Sequence, residues 1–313
     1  LEQQKSKANR LKPVLLSIGE DALPSETGKL LRANLEERRG MLLPGAANAL
    51  AARIIEDLGF EAVYVSGAGV TNTFLGVPDL GFVSLTEIAQ HTSAIREAVK
   101  IPVLVDADTG FGNALNVQHT VRVLERAGAD AIQLEDQTMP KKCGHFENKS
   151  VIATKEMVEK INAAVDARNS SDFLIIARTD ALAEHGFQSA IERAQRYIEA
   201  GADVTFVEAP QSAEEIRKIP QRLSVPQVMN VVVGGKTPVL GQQELAGMGY
   251  GLVLYANVAL QGAIAGMQAA LKQLKSAGRI DGASEMIASF AERQRLVKKP
   301  FFDELDKKYS NEK

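Results

Sequence analysis

Short aliphatic and β-branched runs alternate along the chain with longer stretches in which apolar residues recur every three or four positions. Eight of the short runs predict strands: GMLLPG (Gly40–Gly45), AVYVSG (Ala62–Gly67), PVLVDAD (Pro102–Asp108), AIQLED (Ala131–Asp136), FLIIARTD (Phe173–Asp180), VTFVEAP (Val204–Pro210), PQVMNV (Pro226–Val231) and GLVLYAN (Gly251–Asn257). Several are apolar without alternation, as parallel strands covered on both faces are. Between them, NVQHTVRVLERAGAD and FQSAIERAQRYIEAGAD carry a helical period, and Gly128 and Gly201 stop each helix just before the next strand.

Eight strand–helix units in one chain most economically close into an α/β fold of the (β/α)₈ barrel type, read here as a single domain. A doubly wound open sheet is the alternative. Its glycine-rich phosphate loop is missing, because LLPGAANA after the first strand is not G-x-G-x-x-G. Residues 1–25 form an N-terminal extension and Glu26–Arg39 predicts an extra helix before the barrel. Residues 257–313 predict C-terminal helices, the first of them alanine-rich (ALQGAIAGMQAALKQLKSAGRI) and suited to close packing on another helix or subunit. The tail FFDELDKKYSNEK is expected to fray at its end.

The 313 residues are 45% hydrophobic and 24% charged, with a formal net charge of -3. That balance supplies no basic field for a nucleic-acid partner. No apolar run approaches the roughly 18 residues that span a bilayer, and LEQQKSKANRLKPVLL has no signal-peptide core, so a cytoplasmic protein without a membrane partner is expected.

In a barrel the chemistry sits at the C-terminal ends of the strands. Here those ends carry Ser66 and Gly67, Asp106 and Asp108, Glu135 and Asp136, Arg178 and Asp180, Glu208, Asn230, and Tyr255 and Asn257. A single acid or serine there would usually be a helix cap. So many acids around one rim call for a cation. Asp106 and Asp108, two apart, point to one side of a strand, and with Glu135 they make an all-oxygen set suited to Mg²⁺, with Mn²⁺ the other candidate. Gly110 and Gly112 would let the backbone approach a ligand. Arg178 can clamp a carboxylate, which points to a small di- or tricarboxylate substrate, or it can be a structural ion pair. The chain's one cysteine, Cys143, lies in QTMPKKCGHFENKS, a long loop over the mouth spanning residues 137–150. Lys141, Lys142 and His145 beside it favour a reactive thiolate, and Gly144 leaves room for a ligand.

KKCGH, VDADTGFGN, YVSGAG, LEDQ, ARTDA and VEAP together resemble the isocitrate lyase and phosphoenolpyruvate mutase superfamily, in order and spacing from about Met41 to Leu271. The cysteine loop is similar to that of the branch cleaving carbon–carbon bonds of substituted malates, such as 2,3-dimethylmalate and 2-methylisocitrate. The resemblance implies a (β/α)₈ barrel with a swapped eighth helix, in a homotetramer built from two helix-swapped dimers. It implies that Asp106, Asp108 and, through water, Glu135 hold Mg²⁺, and that Ser66, Gly67, Ala68, Gly144, Arg178, Glu208 and Asn230 bind substrate. Cys143, with Arg178, His145 and Lys141, would be catalytic. Phe146 and Gln261 stand where tricarboxylate-cleaving members carry arginines, and NVVVGGKTP (Asn230–Pro238) is closer to the dimethylmalate type. A smaller substrate is therefore expected. Oxaloacetate cleavage, phosphonomutase chemistry and a non-catalytic dicarboxylate-binding barrel are the other readings.

Overall fold

The computed structural model describes residues 24–142, 150–235, 237–281 and 285–310. In chain order its elements are α1 (Pro24–Glu36), β1 (Met41–Ala46), α2 (Ala49–Asp57), β2 (Val63–Val65), α3 (Gly67–Phe74), α4 (Leu85–Ala98), β3 (Val103–Asp106), α5 (Ala114–Arg126), β4 (Ala131–Glu135), α6 (Thr154–Ala167), β5 (Leu174–Thr179), α7 (Leu182–Glu199), β6 (Val204–Val207), α8 (Ala213–Arg222), β7 (Val228–Asn230), α9 (Gln242–Met248), β8 (Leu252–Tyr255), α10 (Val258–Ala277), α11 (Phe290–Leu296) and α12 (Lys299–Tyr309). Each of the eight predicted strands is among them. The strands pair in parallel in the order β6-β5-β4-β3-β2-β1-β8-β7. A parallel bridge from Thr205 to Gln227 joins the two ends, so the sheet closes into the expected barrel. Gly128 and Gly201 end their helices with left-handed φ of 94° and 98°.

Strand alternation sorts the side chains into two sets. Val103 and Val105 of β3, Ile132 and Leu134 of β4, and Ile175 and Ala177 of β5 pack outward under the helices. Leu104, Leu174, Ile176, Phe206, Leu252 and Leu254 fill the lumen, together with Leu31 and Leu35 of α1, which thus plugs the N-terminal end. Continuing the inward set by steps of two brings the strands to Asp106, Glu135, Arg178, Glu208 and Asn230 at the other end. The period that builds the core also delivers the polar rim.

Among the described residues α10, α11 and α12 bury no side chain. Arg295 of α11 forms a bidentate pair with Asp57 at the end of α2, at 2.7 and 2.6 Å. The tail expected to fray is helical through Tyr309, and its last residues lie outside the described set. No described helix is long and apolar enough to cross a membrane.

The plug is tied down by Asp130, which precedes β4. Its carboxylate accepts from the Thr27 hydroxyl of α1, from Val103 N at 2.8 Å and from Arg96 at 3.2 Å. Burial nevertheless pushes its pKa up to about 6, against the opposing pull of these three partners. An acid whose pKa is raised by folding favours the fold below its unfolded value, near 3.9, and that contribution is lost as pH rises through about 6. Relative to Asp130→Asn, the wild type should therefore lose stability between about pH 3.5 and 7, by at most about 3 kcal/mol. Urea unfolding of both proteins across that range checks this, and a pH-independent difference would contradict it.

Candidate active site

β3 ends at Asp106 and the chain turns at once. Asp108 does not prolong the strand, as its spacing suggested, but lies in the left-handed region at φ 48°. Gly110 N closes the turn onto Ala107 O at 2.8 Å, and Asp108 N donates to Asp106 Oδ1 at 3.1 Å. The two carboxylates still reach one place. A Cβ added at Gly67, the first residue of α3, would lie 3.2 Å from Asp106 Oδ2 and 3.4 Å from Asp108 Oδ1. The turn itself requires Gly110 and Gly112: a Cβ on them would strike Val117 at 2.5 Å and Asn116 at 2.3 Å.

Asp106 is steadied from inside the barrel. Gln133 Nε2 donates to its Oδ1 at 3.3 Å, and Tyr64 OH donates to Gln133 Oε1 at 2.8 Å. Lys141 comes in from the loop after β4, its ammonium 2.6 Å from both Asp79 Oδ1 and Asp108 Oδ1. Burial alone would lower the lysine's pKa, but Asp108, Asp106, Glu135 and Asp79 outweigh it and raise the value, so the ammonium stays charged. Burial pushes the Asp108 carboxyl up to about 7 even though Lys141 draws it down. The lysine expected to activate Cys143 thus has its charge committed to carboxylates. Asp79, half of that arrangement, was not singled out in the sequence, because it sits in a turn (VPDLG) rather than at a strand end.

Across the mouth, Arg178 is held by Asp180 through two parallel hydrogen bonds of 2.9 and 3.0 Å. Its guanidinium also lies 3.3 Å from Glu135 Oε2, 3.8 Å from Glu208 Oε1 and 5.2 Å from the centre of the Phe206 ring. Both readings of this arginine therefore coexist, since it is an ion pair that also faces the site. Burial raises the Glu135 pKa well above the carboxylate range, although Arg178 opposes the shift. Asn230 Nδ2 donates to both Glu208 oxygens, at 3.3 and 3.4 Å. Glu135 Oε1, Asn230 Oδ1 and, in the loop after β7, Thr237 Oγ1 are buried without a hydrogen-bond partner.

Asp136 is excluded from the rim by parity. It points outward to accept from Thr179 Oγ1 and Tyr197 OH, both at 2.7 Å, from Asp180 N at 2.9 Å and from Arg193 at 3.2 Å. Ser66 is the N-cap of α3: its Oγ accepts from Gly69 N at 3.0 Å and donates to Asn257 Oδ1 at 3.2 Å. That leaves the first N–H groups of α3, on Gly67 and Ala68, without an intrahelical acceptor and available to an anion. Gln261 is exposed on α10. Cys143, Gly144, His145 and Phe146 lie outside the described residues, but the ends of their loop are joined. Gln137 bridges to Val151, and its side chain bonds Lys142 N at 2.9 Å and Lys142 O at 2.8 Å.

Among the described residues no three carboxylate, imidazole or thiol groups converge as a closed metal cage. Mg²⁺ does not need one, since it keeps several waters and binds through one or two carboxylates. Asp106 and Asp108 beside the small Gly67 form an open oxygen pair of that kind, and Glu135 Oε1 is a further unpaired acceptor on the same rim.

Residues 31–275 match the family model described as phosphoenolpyruvate phosphomutase. The chain is 47% identical to a 2-methylisocitrate lyase of Aeropyrum pernix over 251 residues, 80% of each chain. It is 42% identical to a 2,3-dimethylmalate lyase of Eubacterium barkeri over 271 residues, 87% of this chain and 94% of the other. A solved oxaloacetate acetylhydrolase, in complex with 3,3-difluorooxalacetate, is similar with a TM-score of 0.86 at 32% identity, over 92% of this chain and 99% of its own. With the family match and these relatives spanning most of its length, the chain belongs to the phosphoenolpyruvate mutase and isocitrate lyase superfamily.

Proposed function

We infer that this enzyme, a carbon–carbon lyase like its relatives, cleaves a substituted malate of the 2,3-dimethylmalate or 2-methylisocitrate type. The products would be pyruvate or a related 2-oxo acid and a second carboxylate. The observation that carries the reading is the charge balance at the rim. Among the described residues Asp79, Asp106, Asp108 and Glu135 outnumber the rim cations Lys141 and Arg178, and all six are buried. An anionic substrate enters such a site only after a cation has offset the carboxylates. The resident ion is proposed to be Mg²⁺, with Mn²⁺ the alternative, held by Asp106 and Asp108 and through water by Glu135. When bound it would act as a Lewis acid toward the substrate's C1 carboxylate and 2-hydroxyl.

The N–H groups of Gly67 and Ala68 orient the anionic C1 end. Arg178, locked by Asp180, faces the negative charge that builds on the departing carboxylate as C2–C3 breaks, without having to reorganise. Glu208 and Asn230 line the same side, and the unpaired Asn230 Oδ1 and Thr237 Oγ1 are free to meet substrate hydroxyl or carboxylate groups. A site base takes the 2-hydroxyl proton as C2–C3 breaks to leave the 2-oxo acid. Cys143, kept as the thiol by a substrate carboxylate entering the closed site, is proposed to give its proton to the carbanion carbon, with His145 and Lys141 in support. The absence of a further rim cation among the described residues, with Gln261 neutral and exposed, favours a dicarboxylate over a tricarboxylate. Oxaloacetate cleavage is the second reading, favoured by the likeness to the acetylhydrolase.

The protein is proposed to act as a cytoplasmic homotetramer, a dimer of helix-swapped dimers. Ile264, Met267, Leu271 and Leu274 of α10 are exposed at i, i+3, i+7 and i+10, one apolar stripe that no described residue of the same chain covers. The occupant best matched to it is α10 or the barrel flank of a second copy.

Three outcomes are expected. In a Mg²⁺ assay of 2-oxo acid release from 2,3-dimethylmalate, 2-methylisocitrate and isocitrate, and of oxaloacetate loss, a malate derivative should be turned over. Cys143→Ser and Asp106→Asn should each reduce kcat at least about a hundredfold. Turnover of oxaloacetate alone would replace the lyase reading by the second one. Gly67→Ala should fold normally yet bind Mg²⁺ about tenfold more weakly by calorimetry, because its methyl presses on both aspartates; wild-type affinity would remove them as ligands. Met267→Glu with Leu271→Glu should lower the sedimenting mass to that of a smaller species, whereas an unchanged mass would place the interface elsewhere.

A further inference from the structure

The turn that carries Asp106 and Asp108 is unusual in how it is held. Asp108, Gly110, Phe111 and Gly112 all have left-handed φ, at 48°, 85°, 59° and 148°. For Asp108 and Phe111 that conformation is strained and persists only where the surroundings impose it. Three consecutive carbonyls of the turn each have a partner from a different element. Asp108 O accepts from Glu135 N of β4 at 2.9 Å, and Gly110 O accepts from Thr120 Oγ1 of α5 at 3.0 Å. Between them Thr109 O accepts from Lys160 Nζ of α6 at 3.1 Å.

Lys160 is the outlier of the three. It is 4% exposed, its ammonium donates to Thr109 O, and the carboxylate of Glu156 one turn earlier on α6 attracts it without outweighing the cost of burial. Burying an ammonium costs more than one hydrogen bond to a neutral carbonyl and the pull of Glu156 return, so an apolar side chain of the same length would suit the packing between α5 and α6 better. What the charge does provide is a strong, long-reaching donor onto the middle carbonyl of the turn. We propose that Lys160 is a positioning residue for the metal site, fixing through Thr109 O the left-handed turn from which Asp106 and Asp108 present their carboxylates.

The proposal rests on the Mg²⁺ reading above, and its test separates the two. Mg²⁺ binding is measured by calorimetry on chelator-stripped protein without substrate, for the wild type, Lys160→Met, Lys160→Gln and Lys155→Met, the last removing an exposed lysine of the same helix. Lys160→Met should weaken Mg²⁺ at least about tenfold, with a melting temperature in EDTA close to that of the wild type. Lys160→Gln, which keeps a donor, should recover part of the loss, and Lys155→Met should behave as wild type. Amide exchange should quicken in Lys160→Met at Gly110 and Glu135, whose N–H groups close and anchor the turn. Wild-type affinity and exchange in Lys160→Met would overturn the proposal while leaving the metal site standing. If the wild type itself binds no Mg²⁺, the metal reading fails and the metal role of Lys160 fails with it. If Lys160→Met does not fold, Lys160→Gln decides: unaltered affinity overturns the proposal and weakened affinity sustains it.

Discussion

A carboxylate taken out of water must find a positive charge or a proton, and among the described residues the C-terminal end of this barrel buries more carboxylates than cations. Everything distinctive about the site follows from that imbalance. Lys141 reaches in from a loop to lie 2.6 Å from Asp79 and from Asp108. Arg178 is divided among Asp180, Glu135 and Glu208. Even so, burial leaves Asp108 titrating at about 7 and Glu135 above the carboxylate range. That imbalance is what supports the proposed reading, in which charge from outside enters the rim, first a cation and then the anion that the cation makes admissible.

The two sides of the mouth meet this demand differently. Arg178 stands on a rigid base: Asp180 grips it, and Asp136 grips the backbone of Asp180 while also accepting from Thr179, Tyr197 and Arg193. Such a satisfied network holds one geometry. The side formed by β3 relies instead on a strained turn and on a lysine from a loop. In the proposed reaction a clamp for developing charge gains from being immobile, whereas a site proposed to exchange ions must be able to trade partners, and Lys141 has two to trade.

Much of this was legible in the chain because one periodicity governs both fold and site. Steps of two from Leu104 reach Asp106, and from Ile176 they reach Arg178, so a reader who places the strands has also placed the rim. The same rule disposes of Asp136, one step out of phase and hence turned outward. What could not be read were groups whose position depends on loops. Asp79 and Thr237 belong to no strand, and no period announces that a turn residue will be buried. Lys141 was legible only through its neighbour in sequence, Cys143, whereas its two aspartate partners are brought to it by loops. Asp106 and Asp108 were paired for a reason that half failed. Their common direction comes from a left-handed turn, not from the pleat.

That last difference bears on how such a site is kept. A pleat is enforced by the ladder on either side of it, and would hold two alternate residues without help. A left-handed aspartate is not, and its carboxylate direction is only as secure as the carbonyl contacts that pin the turn. Those contacts come from β4, α5 and α6, so the packing of α5 against α6 beneath the barrel wall, by residues such as Val117, Val121 and Ile161, is part of what aims Asp106 and Asp108. Outer-layer packing in this fold is usually treated as support for the strands. Here it reaches the chemistry directly, through a hydroxyl and an ammonium that end on the backbone of the turn.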